Sequence, residues 1–240
     1  MSGPAERVAR PLSVVKPGTP WAGVLSRFGT PHRPKPQDDG YLWLASRRGQ
    51  RFRIYLPGKP TFLVICPKDV AMEWWSDAKA LAPDVVMACA PFPTDRHAVP
   101  ILEPLYRRAA ATVFVGDLDP FAIVQYVETR RALRDPKGPP LLYGGINDAW
   151  LEAIARSLKT GWSLDRIRIS LSKSEMRLLA LIERALDLEQ LLGPRSCEVL
   201  RGGHKIELEG AANPQIYPPR HGRWIVEYLR SAMRRGAGTL

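Results

Sequence analysis

Short apolar runs alternate with helix-like segments through the middle of the chain, and this alternation constrains the fold more than any other feature. The runs are rich in Val, Ile and Phe and are bounded by Gly, Pro or Asp, which is typical of buried strands. The predicted strands are 62–66, 84–90, 113–115 and 141–144, and the predicted helices are 69–82, 101–110, 121–133 and 148–158. Repeated β-α units predict a parallel sheet with helices on both faces and right-handed crossovers.

The regions that flank these units differ in composition. Residues 1–40 are broken by Pro and Gly and are predicted to form a loosely ordered arm or linker. Residues 41–58 hold two strand-like runs around a basic, Gly-containing turn, which is typical of a β-hairpin. Residues 59–212 form the predicted α/β domain, and residues 213–240 form a basic C-terminal helix that extends from it.

The C-terminal third is predicted to be mostly helical. Ser172 and Glu175 have the spacing of a capping box, in which two side chains bond each other's backbone N–H groups at a helix start. The apolar positions after the box predict one inward-facing stripe, formed by Met176, Leu179, Ile182 and Leu186. The stripe ends at Gly193-Pro194, after which residues 195–200 and 223–235 predict two further helices.

Two carboxylates follow the third predicted strand, at the point where the next helix should begin. Asp117 and Asp119 are expected at the carboxyl edge of the sheet, on one side of the chain if it stays extended through Leu118. Open α/β sheets carry their sites at such edges, and two carboxylates can bind a hydrated Mg²⁺. Asp117 and Asp119 are therefore candidate metal ligands. The alternative is that Asp119 caps the helix that begins at Pro120 and Asp117 is a loop residue.

The chain is strongly basic. Its 240 residues include 35 Lys and Arg against 24 Asp and Glu, a formal net charge of +11, which favours polyanions such as nucleic acid. No apolar run is long enough to span a membrane, and the N-terminus lacks a signal-peptide core. We therefore expect a cytoplasmic protein, associated with the nucleoid if bacterial. The three Cys residues are widely spaced, which predicts small core residues rather than a zinc site or disulfides.

Five segments, most of which are individually weak motifs, occur in a specific order along the chain: 62–69, 88–97, 115–123, 142–148 and 203–211. The most specific of them contains Gly116-Asp117-Leu118-Asp119-Pro120. Together they resemble the Toprim domain of topoisomerase VI A subunits and of the related meiotic double-strand-break proteins, over about residues 61–212. The resemblance implies a Toprim-like α/β fold, DNA as the partner, and Mg²⁺ as the cofactor at Asp117 and Asp119.

Two departures from the family pattern bear on activity. The family has a metal-binding Glu at the end of its first strand, where this chain has Pro67, which offers neither an oxygen ligand nor a titratable group. Mg²⁺ would therefore bind more weakly. The family's DNA-cleaving Tyr lies in a winged helix ahead of the Toprim domain, whereas Tyr41 and Tyr55 lie in predicted strands and are expected to pack. The resemblance thus implies a degenerate site without autonomous strand cleavage.

Six basic residues are candidates for DNA contact: Arg47, Arg48, Lys68, Arg96, His97 and Lys205. The hairpin arginines could touch a phosphate backbone, and Arg96 with His97 could meet phosphate near the Asp pair. The competing interpretation is a solvated turn and a loop His bonded to backbone. Glu207 and Glu209 could present two carboxylates on one face, although surface charge pairing is the commoner arrangement.

Three functions are compatible with these observations. The leading hypothesis is a DNA-associated Toprim-like protein without autonomous cleavage. The second is an active metal-dependent Toprim nuclease or phosphoryl transferase, in which another carboxylate replaces the missing Glu. The third is a structural subunit that docks a protein partner, which would supply an ATPase or the cleaving Tyr.

Overall fold

The computed structural model describes residues 41–45, 51–55, 61–68, 83–89, 98–134, 138–157, 163–211 and 221–237. The strands are β1 (Tyr41–Ala45), β2 (Arg51–Tyr55), β3 (Phe62–Cys66), β4 (Val85–Cys89), β5 (Ala111–Phe114), β6 (Leu141–Tyr143), β7 (Ile169–Ser170) and β8 (His204–Lys205). The α-helices are α1 (Val99–Tyr106), α2 (Pro120–Ala132), α3 (Asp148–Ser157), α4 (Lys173–Ala185), α5 (Leu188–Leu192), α6 (Pro194–Arg201), α7 (Leu208–Ala211) and α8 (His221–Ala237). A 3-10 helix covers Leu164–Ile167.

Six strands form one mixed sheet in the order β1-β2-β4-β3-β5-β6. Strands β4, β3, β5 and β6 pair in parallel, as the alternation of strands and helices predicts. Strands β1 and β2 pair antiparallel, and β2 also pairs antiparallel with β4. The hairpin therefore extends the parallel sheet. The predicted α/β class is confirmed, and the sheet is mixed rather than purely parallel.

Helices cover the sheet on both faces, which explains why its central strands are apolar throughout. In β3, Phe62, Val64 and Cys66 face one core, whereas Leu63 and Ile65 face the other. Because both faces of such a strand are buried, its sequence is a continuous apolar run instead of an alternation of apolar and polar residues. Residues from α1 and α2 fill the second core, and residues from α3, α4, α6 and α8 contribute to the first.

The C-terminal helix α8 belongs to the core of the domain. Ile225, Val226, Leu229 and Met233 are fully buried, and α8 lies against β5 and β6. The predicted amphipathic helix is present, but it does not extend away from the domain, because its apolar stripe covers one face of the sheet. Its last turn carries Arg234 and Arg235, both exposed.

Two predictions about helices need correction. The predicted stripe of α4 included Met176, yet 51% of this side chain is exposed. Glu175 is buried in its place, because it closes the predicted capping box with Ser172 and also contacts Lys205. The stripe does not continue to Gly193-Pro194 in one helix, since α4 ends at Ala185 and α5 begins with Asp187 as its cap.

The first described helix also starts earlier than predicted. Helix α1 begins at Val99 with a Pro in its first turn, a position that proline favours, and it ends at Tyr106. The predicted helix 69–82 and the predicted arm 1–40 lie outside the described residues. Among the helices that the structure describes, none is long and apolar enough to cross a membrane.

Candidate functional site

The Asp pair lies where the chain leaves β5, at the carboxyl edge of the parallel strands. Leu118, between the two carboxylates, forms an antiparallel bridge with Ile206 through backbone hydrogen bonds of 2.9 and 3.2 Å. The chain is thus extended through Leu118, as predicted, and Leu118 is completely buried. Extended backbone places Asp117 and Asp119 on the opposite side from Leu118. Both are nearly buried, with 5% and 7% of their surface exposed.

Asp119 has a structural role at this junction. Its Oδ1 accepts a hydrogen bond of 2.6 Å from the backbone N–H of Ala122, and the residue is the N-cap of α2. Pro120 occupies the first turn, where its missing N–H costs nothing. The capping alternative for Asp119 is therefore confirmed. Capping uses one carboxylate oxygen and does not by itself exclude a second role.

Asp117 is held by two donors from distant parts of the chain. Its Oδ1 accepts a hydrogen bond of 2.8 Å from the backbone N–H of Leu208, at the start of α7. Its Oδ2 lies 2.6 Å from the Nζ of Lys68. Asp117 lies in the loop between β5 and α2, as the alternative held, and its carboxylate ties this loop to Lys68 after β3 and to the start of α7.

Lys68 supplies the positive charge at the centre of the site. Its Nζ also lies 2.6 Å from Glu209 Oε2 and 4.0 Å from Glu207 Oε2. Two buried thiols fix its backbone: Cys89 Sγ and Cys66 Sγ lie 3.1 and 3.6 Å from the Lys68 carbonyl oxygen. Burial raises the pKa of the Cys66 thiol to about 12, so this thiol remains protonated and donates its hydrogen.

Pro67 lies in the same site, next to the Asp pair. A cavity of about 390 Å³ is lined by Pro67, Lys68, Asp117, Asp119, Phe121, Ala122, Gln125 and Glu207. The end of β3 and the end of β5 meet there because the two strands are direct parallel neighbours. Phe121 is half exposed beside the carboxylates. The position after β3 thus faces the Asp pair, although its residue offers no ligand.

A second lysine completes a cluster of alternating charge. Lys205 Nζ lies 3.0 Å from Glu175 Oε1 and 3.1 Å from Glu207 Oε1. The cluster contains five carboxylates and two ammonium groups, a formal charge of −3: Asp117, Asp119, Glu175, Glu207 and Glu209 with Lys68 and Lys205. Although the whole chain is basic, this site would repel phosphate.

Burial dominates the ionisation of the two aspartates in the site. It raises the pKa of Asp117 to about 6, against the opposing effects of the Lys68 ammonium and the Leu208 N–H. Burial likewise raises the pKa of Asp119, opposed by the Ala122 N–H. Burial alone would lower the pKa of Lys68, but its hydrogen bonds to Asp117 and Glu209 raise it above the ordinary value. Lys68 is therefore a permanent cation at neutral pH.

The arrangement does not fit a magnesium centre. Both oxygens of Asp117 and one oxygen of Asp119 already accept hydrogen bonds, and Lys68 contributes its charge between Asp117 and Glu209. Among the described residues, no three His, Cys, Asp or Glu side chains form a group that could hold a metal ion. A divalent ion bound through Asp117 Oδ2 would compete with the Lys68 ammonium for this oxygen.

The predicted DNA-contacting residues separate into two groups. Lys68 and Lys205 are described, and both ammonium groups are engaged with carboxylates. Arg47, Arg48, Arg96 and His97 lie outside the described residues. The sequence pattern did not indicate that Lys68 pairs with Asp117 or that the Leu208 N–H binds Asp117. The Lys-x-Glu pattern from Lys205 to Glu209 marked the right segment, but its partners lie far away in the sequence.

Comparison of the chain with protein-family models and with curated proteins found no match.

Proposed function

We propose that the chain is a DNA-associated, Toprim-like protein related to the topoisomerase VI A family that does not cleave strands by itself. The Lys68–Asp117 ion pair beside Pro67 carries this proposal. The Asp pair supports the resemblance by its position after β5, while the end of the neighbouring β3 offers a proline and an ammonium group instead of a carboxylate. Such a site holds its own cation and lacks the glutamate that the resemblance expects at the end of its first strand for acid-base chemistry.

The charge distribution supports DNA binding away from the Asp pair. The chain carries a formal charge of +11, whereas the cluster around Lys68 is negative. Exposed arginines such as Arg234 and Arg235 at the end of α8 are suitable for phosphate contacts. In this proposal a protein partner supplies the ATPase or the cleaving Tyr.

Plasmid nicking tests the proposal. Full-length protein is incubated with supercoiled plasmid and either Mg²⁺ or Mn²⁺, with Asp117→Asn as the matched variant. We expect wild type and variant to nick at the same background rate, while gel-shift assays detect binding of duplex DNA. Metal-dependent nicking that disappears in Asp117→Asn would contradict the proposal.

One observation favours the alternative of a metal-dependent nuclease or phosphoryl transferase. Glu207 lines the same cavity as Asp117 and Asp119, so it is a candidate replacement for the missing carboxylate. This alternative requires Mg²⁺ at Asp117 and Asp119, and hence a state in which Lys68 leaves Asp117. The nicking experiment decides between the two functions, because only the alternative predicts metal-dependent activity.

A further inference from the structure

A second cavity, of about 830 Å³, lies between the end of α2, the strand β6 at the edge of the sheet, and α5. Its volume falls within the range of small-molecule sites, roughly 300–1,000 Å³. It adjoins the carboxylate cluster at Tyr143, whose hydroxyl donates a hydrogen bond of 3.0 Å to the Asp117 backbone carbonyl, but its arginines lie farther away. Helix α2 starts beside Asp119, and Arg130, which lines the cavity, lies about 16 Å further along the helix axis.

The cavity is positively charged. Arg130, Arg131 and Arg134 line it, and none of the described residues in its wall carries a carboxylate. Elsewhere in the described part of the chain, Arg107, Arg168, Arg201 and Arg230 form ion pairs with carboxylates. Burial raises the pKa of the Tyr126 hydroxyl, and the positive charge of the nearby Arg130 guanidinium opposes this rise. Three guanidinium groups around one cavity are suited to a phosphate group, because each planar guanidinium can donate two parallel hydrogen bonds to phosphate oxygens.

Apart from Gln190, the rest of the described wall is mainly apolar and partly aromatic. Tyr126 and Tyr143 both line the cavity, with their ring centroids 5.3 Å apart and the rings edge to face. Val127, Leu142 and Leu191 add aliphatic surface. An apolar wall beside clustered cations suits a ligand with a flat ring system and a phosphate.

The backbone of this wall argues against an extended peptide as the ligand. Peptides that add to a sheet edge need free backbone donors and acceptors. Pro139 and Pro140 have no N–H, the Pro139 carbonyl accepts from the Tyr106 hydroxyl, and the Leu141 carbonyl accepts from Tyr126 at 3.1 Å. Side-chain cations are therefore the main polar groups that the cavity offers.

We propose that this cavity binds a nucleoside phosphate, with the phosphate on the three arginines and the base against the apolar wall. The group could belong to a free nucleotide or to the phosphorylated end of a nucleic-acid strand. The proposal does not depend on the proposed function, because the three arginines that carry it lie outside the cavity of the Asp pair.

Calorimetric titration of the full chain with ATP and with adenosine, at low salt, tests the proposal. We expect ATP to bind at least about tenfold more tightly than adenosine, because only ATP uses the charge-assisted hydrogen bonds. Arg130→Gln/Arg134→Gln should weaken ATP binding by about tenfold or more, on the same grounds. The control Arg177→Gln/Arg184→Gln removes the same charge from exposed positions of α4 and should leave affinity nearly unchanged.

Further measurements test the shape of the cavity and distinguish a free nucleotide from a phosphorylated strand end as its ligand. Leu191→Trp narrows the cavity without altering charge and should also weaken ATP binding. If a 5′-phosphorylated oligonucleotide displaces ATP and its 5′-hydroxyl form does not, the site binds strand ends. If both oligonucleotides displace ATP equally weakly, the site binds free nucleotides. The proposal would be overturned if ATP showed no saturable binding, or if the α4 control lost as much ATP affinity as Arg130→Gln/Arg134→Gln. It would also be overturned if polyglutamate displaced ATP as well as the 5′-phosphorylated oligonucleotide does.

Discussion

At the scale of single residues, one lysine determines the character of the candidate site. Lys68 contacts Asp117 and Glu209 and lies within 4.0 Å of Glu207, so it neutralises carboxylates that would otherwise repel one another. Asp117 is almost fully buried, and a buried carboxylate without a partner is costly. The lysine therefore does for this site what a bound cation could do.

Removing Lys68 should destabilise the protein and create an affinity for divalent ions. Lys68→Met should lower the free energy of unfolding by about 2 kcal/mol, less than for a fully buried pair because 27% of the lysine side chain is exposed. Millimolar Mg²⁺ should then raise the melting temperature of this variant but not of wild type, since only the variant leaves the carboxylates uncompensated.

The control for this experiment is Lys173→Met, which removes an exposed lysine at the start of α4. It should change neither stability nor the response to Mg²⁺ appreciably. Equal stabilisation of wild type and Lys68→Met by Mg²⁺ would show that Lys68 does not compete with metal.

Asp117 should make stability depend on pH in a defined direction. Its pKa is about 6 in the folded protein, above the ordinary value of 3.8, so the folded state holds the proton more tightly than the unfolded state. The stability that Asp117 contributes below about pH 4 is therefore lost as pH rises through 6.

The free energy of unfolding of wild type relative to Asp117→Asn should fall by up to about 3 kcal/mol between pH 4 and pH 7. Urea denaturation of both proteins at several pH values measures this difference. Asp165→Asn removes a carboxylate from a position 77% exposed and is the control for the substitution itself. A difference that rises with pH would mean that Lys68 outweighs burial.

At the scale of elements, the turn from β5 into α2 combines a cap with a cross-chain tether. Asp119 caps α2 through the Ala122 N–H, while Leu118 is bridged to Ile206 and Asp117 binds the Leu208 N–H. The loop after β6 packs closely on this turn, since a Cβ at Gly145 would lie 2.5 Å from the Gly116 carbonyl oxygen. Only glycine fits at position 145.

Loss of the cap should have a moderate and metal-independent cost. Asp119→Ala leaves the N-terminal N–H groups of α2 without a side-chain acceptor and should lower stability by about 1 kcal/mol. Asp119→Asn is the matched control, because an asparagine side chain can still cap the helix, and it should retain most of the stability. Thermal melts with and without Mg²⁺ measure both variants. A loss in Asp119→Ala that depends on Mg²⁺ would assign Asp119 to a metal site instead.

At the scale of the whole molecule, charge is unevenly distributed. The chain has a net charge of +11, yet the site at the sheet edge has an excess of carboxylates. A long-range field that attracts DNA can therefore coexist with a site that keeps phosphate away.

Duplex binding should weaken steeply as salt rises, with little sequence preference, because counterion release drives it. Arg234→Gln/Arg235→Gln should reduce the slope of log affinity against log salt by about 1 to 2, if each arginine neutralises one phosphate. Lys68→Met should leave this slope unchanged, since Lys68 is paired within the protein. Fluorescence anisotropy with a labelled duplex gives the slopes. Absence of binding even at low salt would remove nucleic acid from the proposed function.

The sequence by itself determined the local elements. Apolar runs and helical spacing predicted the described parallel strands, Ser172 and Glu175 predicted the capping box, and Asp117 and Asp119 were placed correctly on one side of an extended chain. These features depend on the backbone preferences and periodicity of neighbouring residues, which a single sequence displays directly.

The tertiary structure alone decided which distant segments meet. It joined the hairpin to β4, exposed Met176, and brought Lys68 to Asp117 and Glu209, the latter 141 positions away in the sequence. It also directed the Leu208 N–H to Asp117. Local patterns are insensitive to such contacts, because the partner of a charged side chain depends on the order of strands and on the packing of the whole core. The sequence marked the carboxylates of this site, and only the fold supplied their cation.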